Sequence, residues 1–178
     1  MTTAEITSES TMTAVLEAFP GAQRALFRRY HIGGCSSCGF APEDKLGAVL
    51  DKHDVADVDE VIQHIKTSHE QEQQLQIDAQ ELAGLLSASD PPRLIDVRGP
   101  EELAIVKIDG ALPATQELVE EIKSSWPKET PIVVYCHFGT RSLDAASYLI
   151  GHGFTNVRSL TGGIDAWAQE VNTELARY

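Results

Sequence analysis

The fold of this chain is decided by one stretch, Ile132-Val133-Val134-Tyr135-Cys136-His137-Phe138-Gly139-Thr140-Arg141-Ser142. Its first four residues form an apolar run typical of a β-strand, and the residues from Ser142 to Gly151 have the pattern of a helix. Cys136 therefore lies in a loop that leads from a strand into a helix. The first amides of a helix have no partner within it, and the helix dipole favours negative charge there, so a thiolate or persulfide is stabilised. The stretch predicts a nucleophilic sulfur at Cys136.

Short strand-like runs alternate with helical ones along the second half of the chain. Strands are predicted at residues 93–97, 132–135 and 156–160, and helices at residues 79–86, 115–123, 142–151 and 163–170. Such alternation is typical of an α/β fold in which flanking helices cover a mainly parallel sheet. In open parallel sheets, sites lie beyond the carboxyl ends of the strands, which is the expected position of Cys136.

The first part of the chain has residues typical of helix starts and helix ends, and few runs typical of a strand. Helices are predicted at residues 13–19, 21–30, 43–52 and 58–70, and a loop over residues 31–40 interrupts them. The run from Ser68 to Gln76 is almost wholly polar, which is typical of either a solvated helix end or a linker. We therefore expect a small all-helical domain over residues 1–70, followed by an α/β domain over residues 71–178.

The charge balance of the chain is strongly acidic. There are 14 Lys and Arg residues against 27 Asp and Glu residues, a formal net charge of −13, so we expect neither nucleic acid nor an anionic membrane as a partner. The first residues lack the basic and apolar regions of a secretion signal, and no stretch reaches the ~20 apolar residues of a membrane span. The cysteines are odd in number and do not form a secreted disulfide framework. These features predict a cytoplasmic protein with reactive or ligating thiols.

Three motifs in the second half occur in order and with ordinary spacing. The first comprises Leu94-Ile95-Asp96-Val97-Arg98, Pro100-Glu101-Glu102 and Gly110-Ala111, the second is Cys136 to Ser142, and the third comprises Leu160-Thr161-Gly162-Gly163 and Trp167. On these motifs, residues 75–171 resemble a single-domain rhodanese, a family of sulfurtransferases. The resemblance implies that the Cys136 thiolate takes sulfane sulfur from thiosulfate or another persulfide donor and holds it as a persulfide. The sulfur then passes to a thiol, a protein or a cyanide-type acceptor.

The residue types of the loop fit this chemistry. Gly139 lets the backbone curl so that successive N–H groups turn inward toward an anionic sulfur. Arg141 either orients an anionic donor or forms a structural salt bridge with a neighbouring acid. Neither a general base nor a bound metal or cofactor is expected. We predict that Cys136 and Arg141 are catalytic, and that the donor is contacted by His137, Phe138, Gly139, Thr140 and Ser142.

Loop length separates two chemistries that use a thiolate in a cradle of amides. Four residues lie between Cys136 and Arg141, whereas the phosphatase relatives of this fold have five, which enclose the larger phosphate. The shorter loop favours sulfur transfer over phosphoryl transfer. The sequence departs from the family at Lys107, where a histidine commonly precedes the Ile-x-Gly-Ala segment, so the role of that position is left open.

Two further thiols lie in a Cys-x-x-Cys motif, Gly33-Gly34-Cys35-Ser36-Ser37-Cys38-Gly39. Three interpretations remain open: a redox-active pair, a half-site for a metal or iron–sulfur cluster, and reduced structural cysteines. A closed zinc site needs four ligands, so a second copy of the motif or the histidines His31, His64 and His69 would have to complete it. Residues 11–65 resemble the small helical redox-disulfide domain associated with hybrid-cluster proteins, which implies a redox role for the pair.

The two resemblances lead to one hypothesis and one alternative. The hypothesis is a sulfurtransferase in which Cys35 or Cys38 resolves the Cys136 persulfide, releasing sulfide or relaying sulfur while the pair is oxidised. The alternative is a sensing or binding module for redox state or reactive sulfur, with a metal or iron–sulfur site at the N-terminal cysteines. The retained Cys136 disfavours an inactive scaffold, because such a scaffold needs no nucleophile.

Overall fold

In a computed structural model, which describes residues 5–33 and 39–178, the chain divides into two compact units, Met1–Gln74 and Leu75–Tyr178. The division falls a few residues after the expected boundary at residue 70, because the last helix of the first unit continues through most of the polar run. Glu72, near the end of that helix, forms an ion pair of 2.7 Å with Arg24. The polar run is therefore largely helical up to Gln74, but it is not a wholly solvated helix end, because Glu72 is buried.

The first unit is helical over its described residues. Its helices are α1 (Met12–Ala18), α2 (Ala22–Tyr30), α3 (Leu46–Lys52) and α4 (Val58–Gln74). They pack around one apolar core, whose fully buried side chains include Met12, Val15, Leu26, Leu50 and Ile65. The spacing of Asp57 and Glu60 predicts a helix start at this point, and Asp57 Oδ1 does accept a hydrogen bond from Glu60 N at 2.9 Å.

Helix α3 begins later than the sequence predicts, at Leu46 instead of residue 43. The residues before it pair with the segment that precedes α1. Leu46 N donates to Ser10 O at 2.9 Å and Gly47 N donates to Ser8 O at 2.8 Å. Together with a bridge between Thr11 and Lys45, these contacts fix the start of α3, while Pro42 and Glu43 form a turn ahead of it. The local sequence pattern does not show this long-range pairing.

The second unit is built on a parallel five-stranded sheet with the order β1-β5-β4-β2-β3. Its strands are β1 (Gln76–Ile77), β2 (Arg93–Asp96), β3 (Leu112–Pro113), β4 (Ile132–Tyr135) and β5 (Val157–Leu160). All four strand pairs are parallel, so the predicted α/β class with a parallel sheet is confirmed. The sequence did not predict β1 and β3, which form the two edges and have two residues each.

Helices cover both faces of this sheet. They are α5 (Ala79–Leu86), α6 (Pro100–Ile105), α7 (Gln116–Ser125), α8 (Thr140–Gly151) and α9 (Gly163–Glu170). One core joins alternate strand residues such as Leu94 and Val133 to α5 and α9, where Trp167 is buried. A second core joins Ile95 and Val134 to side chains of α7 and α8. Helix α6 was not predicted from the sequence.

Strand β4 lies in the middle of the sheet, and all four of its residues are buried. The chain therefore leaves the carboxyl edge of the sheet at Cys136, between the ends of β2 and β5. This is the position that a parallel sheet offers for a site. In the part of the chain that the structure describes, no helix has both the length and the apolar character needed to cross a membrane.

Candidate active site

Cys136 is a free thiol at the start of the loop, and it is only 1% exposed. Gly139 N donates a hydrogen bond to its sulfur over 3.1 Å. This contact requires the loop to fold back on itself, and Gly139 does so with φ of +90° just before helix α8 begins. Residues that carry a Cβ rarely adopt that backbone angle, so the position requires a glycine. The loop thus points one backbone N–H at the sulfur.

Two buried serines continue the polar contacts of the sulfur into the sheet. Ser142 Oγ lies 3.6 Å from Cys136 Sγ and donates to Gly139 O at 3.1 Å. Ser159, on strand β5, donates to Ser142 Oγ at 2.8 Å. Both serines are at most 1% exposed, so their hydroxyls depend on each other for hydrogen bonds. Helix α8 begins at Thr140, so Ser142 lies inside its first turn and does not cap it.

The amino end of helix α9 packs directly against the loop. Ile164 N donates to Cys136 O at 2.9 Å, and Asp165 N donates to His137 O at 3.1 Å. A Cβ on Gly163 would lie 2.3 Å from Cys136 O and 2.4 Å from His137 O, and the φ of Gly163 is +61°. Only glycine fits between these carbonyls. The third sequence motif, which contains Gly163, therefore contacts the Cys136 loop of the second motif and fixes its backbone.

Arg141 is bound to an acid from helix α6. Its two terminal nitrogens donate to the two oxygens of Glu102 at 2.6 and 2.7 Å. The Arg141 guanidinium lowers the pKa of Glu102 from 4.5 to about 2. The same bond raises the pKa of Arg141, and the nearby Cys136 sulfur makes a smaller contribution to that rise. Of the two predicted roles for Arg141, the salt bridge is present in the structure.

Behind Glu102 lies a buried ion pair. The side chains of Asp96 and Arg98 are both fully buried and meet at 2.6 Å. Arg98 also donates to Val106 O and to the hydroxyl of Tyr178, each at 2.7 Å. Asp96 and Arg98 therefore link the end of strand β2 to the following loop and to the end of the chain.

The outer side of the loop carries three neighbouring rings, His137, Phe138 and Tyr178, which we call the aromatic stack. The rings of His137 and Phe138 are nearly parallel with centroids 3.9 Å apart, and Tyr178 lies 4.3 Å from His137. Phe138 is 63% exposed and Tyr178 is 43% exposed, so the stack faces solvent. Thr140 is also exposed, at the first position of α8.

The structure brings all seven predicted loop residues together at the carboxyl edge of the sheet.

Cys35 and Cys38 lie outside the described residues. Among residues 5–33 and 39–178, no cluster of three or more His, Cys, Asp and Glu side chains could hold a metal ion. His64 Nε2 contacts Ala25 O at 3.2 Å. Lys107, where the sequence departs from the rhodanese pattern, lines a cavity of about 280 Å³ that also borders Trp167.

Sequence reasoning missed three residues that contact the loop. Glu102 stands in the first motif, but nothing in the motif shows that it reaches Arg141. Ser159 lies at a buried position of strand β5 next to Arg158, and in a strand that carries both residues the serine alone gives no clear signal. Tyr178 contacts Glu102 and Arg98 across long sequence separations, for which one sequence carries no signal.

Comparisons with known proteins find matches to the second unit. The rhodanese-like domain family matches residues 78–170. A sulfurtransferase of Allochromatium vinosum is 37% identical over 94 residues, which cover 53% of this chain and 88% of that protein. The probable adenylyltransferase/sulfurtransferase MoeZ of Mycobacterium tuberculosis is 36% identical over 104 residues, which cover 57% of this chain and 26% of that protein. A crystal structure of a rhodanese-like domain protein from Staphylococcus aureus is 30% identical, covers 54% of this chain and 93% of that chain, and has a TM-score of 0.47.

Proposed function

Because the chain belongs to the rhodanese-like family through residues 78–170 and is a rhodanese-type sulfurtransferase, we propose that Cys136 is the residue that carries the sulfur. Its thiolate attacks the outer sulfur of thiosulfate or of another sulfane donor. A sulfur–sulfur bond to Cys136 forms as the donor's own sulfur–sulfur bond breaks. A thiol, a protein or a cyanide-type nucleophile then attacks the outer sulfur of the Cys136 persulfide and restores the thiolate.

The observation that carries the proposal is the hydrogen bond from Gly139 N to Cys136 Sγ. A backbone N–H is a donor that does not lose its proton to the sulfur, so it stabilises the Cys136 thiolate before loading and again after the sulfur has been passed on. The charge of Arg141 adds to this stabilisation at the mouth of the loop. His137, Phe138 and Thr140 form the surface that a donor meets first, while Gly139 and Ser142 shape the floor.

The test is intact-protein mass spectrometry after treatment with thiosulfate or with cysteine persulfide. We expect the wild-type protein, sampled before the N-terminal pair can discharge it, to gain the mass of one sulfur atom at Cys136 and to lose it when cyanide is added. Cys136→Ala should gain none at that position and should transfer sulfur only at the background rate. The double variant Cys35→Ser/Cys38→Ser is the matched control and should still load Cys136. Equal transfer rates for wild type and Cys136→Ala would overturn the assignment.

We also propose that Cys35 or Cys38 accepts the sulfur from Cys136. Two features support this: the Cys-x-x-Cys motif and the resemblance of residues 11–65 to a redox-disulfide domain. One thiolate attacks the outer sulfur of the Cys136 persulfide and becomes a persulfide itself. The second thiolate attacks the inner sulfur of that new persulfide, so that a Cys35–Cys38 disulfide forms and hydrosulfide leaves. The sulfane sulfur is reduced by two electrons, which the two thiols supply. Such a cycle needs a compartment that keeps thiols reduced, such as the cytoplasm.

The relay is tested by a single turnover without any added thiol. Protein loaded with one sulfur at Cys136 should release hydrosulfide and form a disulfide, whereas the Cys35→Ser/Cys38→Ser variant should keep its sulfur. Equal discharge in both proteins would show that the pair takes no part. The competing interpretation is a metal or iron–sulfur site at the pair. After purification without oxygen, an iron–sulfur cluster predicts a brown protein with bound iron, and another metal such as zinc predicts a colourless protein in which elemental analysis detects that metal.

A further inference from the structure

The guanidinium of Arg141 is already engaged by a protein carboxylate. Two parallel N–H···O bonds to Glu102 form the same fork-to-fork arrangement in which an arginine would hold the oxygens of thiosulfate. Glu102 is only 24% exposed, while Arg141 is half exposed. A small oxyanion must therefore compete with Glu102 before it gains this guanidinium.

Glu102 is held in place from behind. Gly99 N donates to Glu102 Oε2 at 3.3 Å, and the Tyr178 hydroxyl donates to Glu102 Oε1 at 3.2 Å. Arg98, anchored by its buried pair with Asp96, in turn donates to the Tyr178 hydroxyl. Glu102 is thus fixed on Arg141 by a chain of hydrogen bonds that starts in the core of the domain.

The arginines described around the mouth of the loop are matched by carboxylates. Arg141 is paired with Glu102, and Arg177 is paired with Asp165 at 2.8 Å. Arg98 is fully buried in its pair with Asp96 and does not face the mouth of the loop. The chain as a whole has a formal net charge of −13. This charge distribution does not attract a compact dianion such as thiosulfate.

The surface next to the sulfur is aromatic. The stack of His137, Phe138 and Tyr178 offers exposed ring faces beside the loop. The faces of these rings bury the carbon skeleton of an organic molecule well, whereas a ring face gives no hydrogen bond to a sulfonate oxygen. The Tyr178 hydroxyl is already bound to Arg98 and Glu102. The site therefore matches a donor that has an organic body.

We propose that Glu102 and Tyr178 set the donor specificity of this site, so that Cys136 takes sulfur from an organic persulfide in preference to thiosulfate. This inference rests on the proposed function of Cys136. The thiolate attacks the outer sulfur of R–S–SH, a bond to Cys136 forms, and the donor's sulfur–sulfur bond breaks. The leaving R–S⁻ takes up the proton of the transferred sulfur, which gives R–SH and the Cys136 persulfide. No external oxidant or reductant is needed. Glu102 and the Tyr178 hydroxyl are positioning groups, because they act through Arg141, whereas the Tyr178 ring belongs to the aromatic stack.

The experiment compares the loading of Cys136 by cysteine persulfide and by thiosulfate, measured as kcat/KM for each donor in the full chain. The wild-type protein should favour the persulfide. Glu102→Gln should raise the ratio of thiosulfate to persulfide efficiency by about three- to tenfold, mainly through a lower KM for thiosulfate. Tyr178→Phe, which keeps the ring and removes the hydroxyl, should raise the ratio by about twofold.

Glu81→Gln is the matched control, because Glu81 forms an ion pair with Arg158 at 2.7 Å and takes no part in the loop. It should leave the donor ratio at the wild-type value. A wild-type preference for thiosulfate, or equal ratios for Glu102→Gln and Glu81→Gln, would overturn this inference while leaving Cys136 as the sulfur carrier. Failure of both donors to load Cys136 in the wild-type protein would instead overturn the proposed function itself.

Discussion

At the scale of single residues, two neutral groups lie within hydrogen-bonding distance of the Cys136 sulfur, beside the charged Arg141. One is the amide of Gly139, and the other is the hydroxyl of Ser142. The Ser142 proton has two possible acceptors, Gly139 O and the sulfur. Because Ser159 donates to Ser142, the Ser142 proton remains free to turn toward the sulfur when that sulfur is anionic.

Ser142→Ala is therefore expected to affect both stability and chemistry. The change leaves the buried hydroxyl of Ser159 without its acceptor, which should cost about 1–3 kcal/mol in free energy of unfolding. Loading of Cys136 should slow by roughly three- to tenfold because the sulfur loses a donor. Urea unfolding and single-turnover mass spectrometry measure the two effects.

The control for this change is Ser147→Ala on the same helix. In the part of the chain that the structure describes, Ser147 Oγ donates one hydrogen bond, to the carbonyl of Leu143 one turn earlier in helix α8, at 2.8 Å. Loss of the Ser147 hydroxyl should therefore lower the free energy of unfolding by less than about 0.5 kcal/mol. If the two variants had the same stability and the same loading rate, the proposed contact between Ser142 and the sulfur would be refuted.

Glu102 also makes stability depend on pH. Its pKa is lowered from 4.5 to about 2 by Arg141, so its contribution is complete above pH 4.5 and is lost as the pH falls through about 2. Wild type should be more stable than Glu102→Gln by about 0.5–1 kcal/mol near neutral pH, since Arg141 is half exposed. The difference should shrink in acid and vanish below a pH of about 2. Denaturant unfolding of both proteins across this range is the measurement, and a difference that stays constant into strong acid contradicts the assignment.

At the scale of elements, the amino end of α9 and the loop after β4 form one assembly. Two amides of α9 bind two carbonyls of the loop, and Gly163 lets the backbones approach. Loop geometry thus depends on a helix that starts well after the thiol in sequence.

Gly163→Ala should disturb this assembly. An alanine at φ of +61° is strained, and its Cβ would collide with the carbonyl oxygens of Cys136 and His137, so we expect a loss of about 2 kcal/mol or more. Loading of Cys136 should fall with it. Gly84→Ala is the control, because Gly84 lies inside helix α5 with open space around it and should be neutral or gain about 0.5–1 kcal/mol. Thermal unfolding of the two variants decides the matter, and equal melting temperatures would argue against the described packing.

The longer helices and strands could be predicted from the sequence, because their apolar residues recur with the spacing of a helix or form the continuous run of a buried strand. The apolar run of β4 and the helical pattern that follows it are local signals, and both elements are present. The short strands β1 and β3 exist only through pairing with neighbours, so two residues carry too little pattern to show them. The same applies to the site: the loop could be predicted from Cys136 and Gly139, whereas the pairing of Glu102 with Arg141 depends on tertiary packing.

At the scale of the whole molecule, the chain consists of two units that each have an apolar core of their own. A unit with its own core can in principle fold alone. The second unit also holds every described contact of Cys136.

A fragment of residues 75–178 should therefore fold and load Cys136 at a rate within about a factor of two of the full chain. It should fail to discharge the sulfur without an added thiol, because Cys35 and Cys38 are missing. Circular dichroism, cooperative unfolding and single-turnover loading are the measurements. A fragment that unfolds without cooperativity would show that the second unit needs the first.

The order of the strands also determines when the sheet can form during synthesis of the chain. Strand β1 is hydrogen-bonded to β5 through Leu75 O and Ile77 O, so the first strand of the sheet waits for the last one. The first unit has no such delay, because its core is complete before β1 leaves the ribosome. Domains that depend on distant pairings close late. In each newly made chain, Cys136 consequently remains open to oxidants and stray sulfur until β5 and α9 have emerged and closed the loop around it.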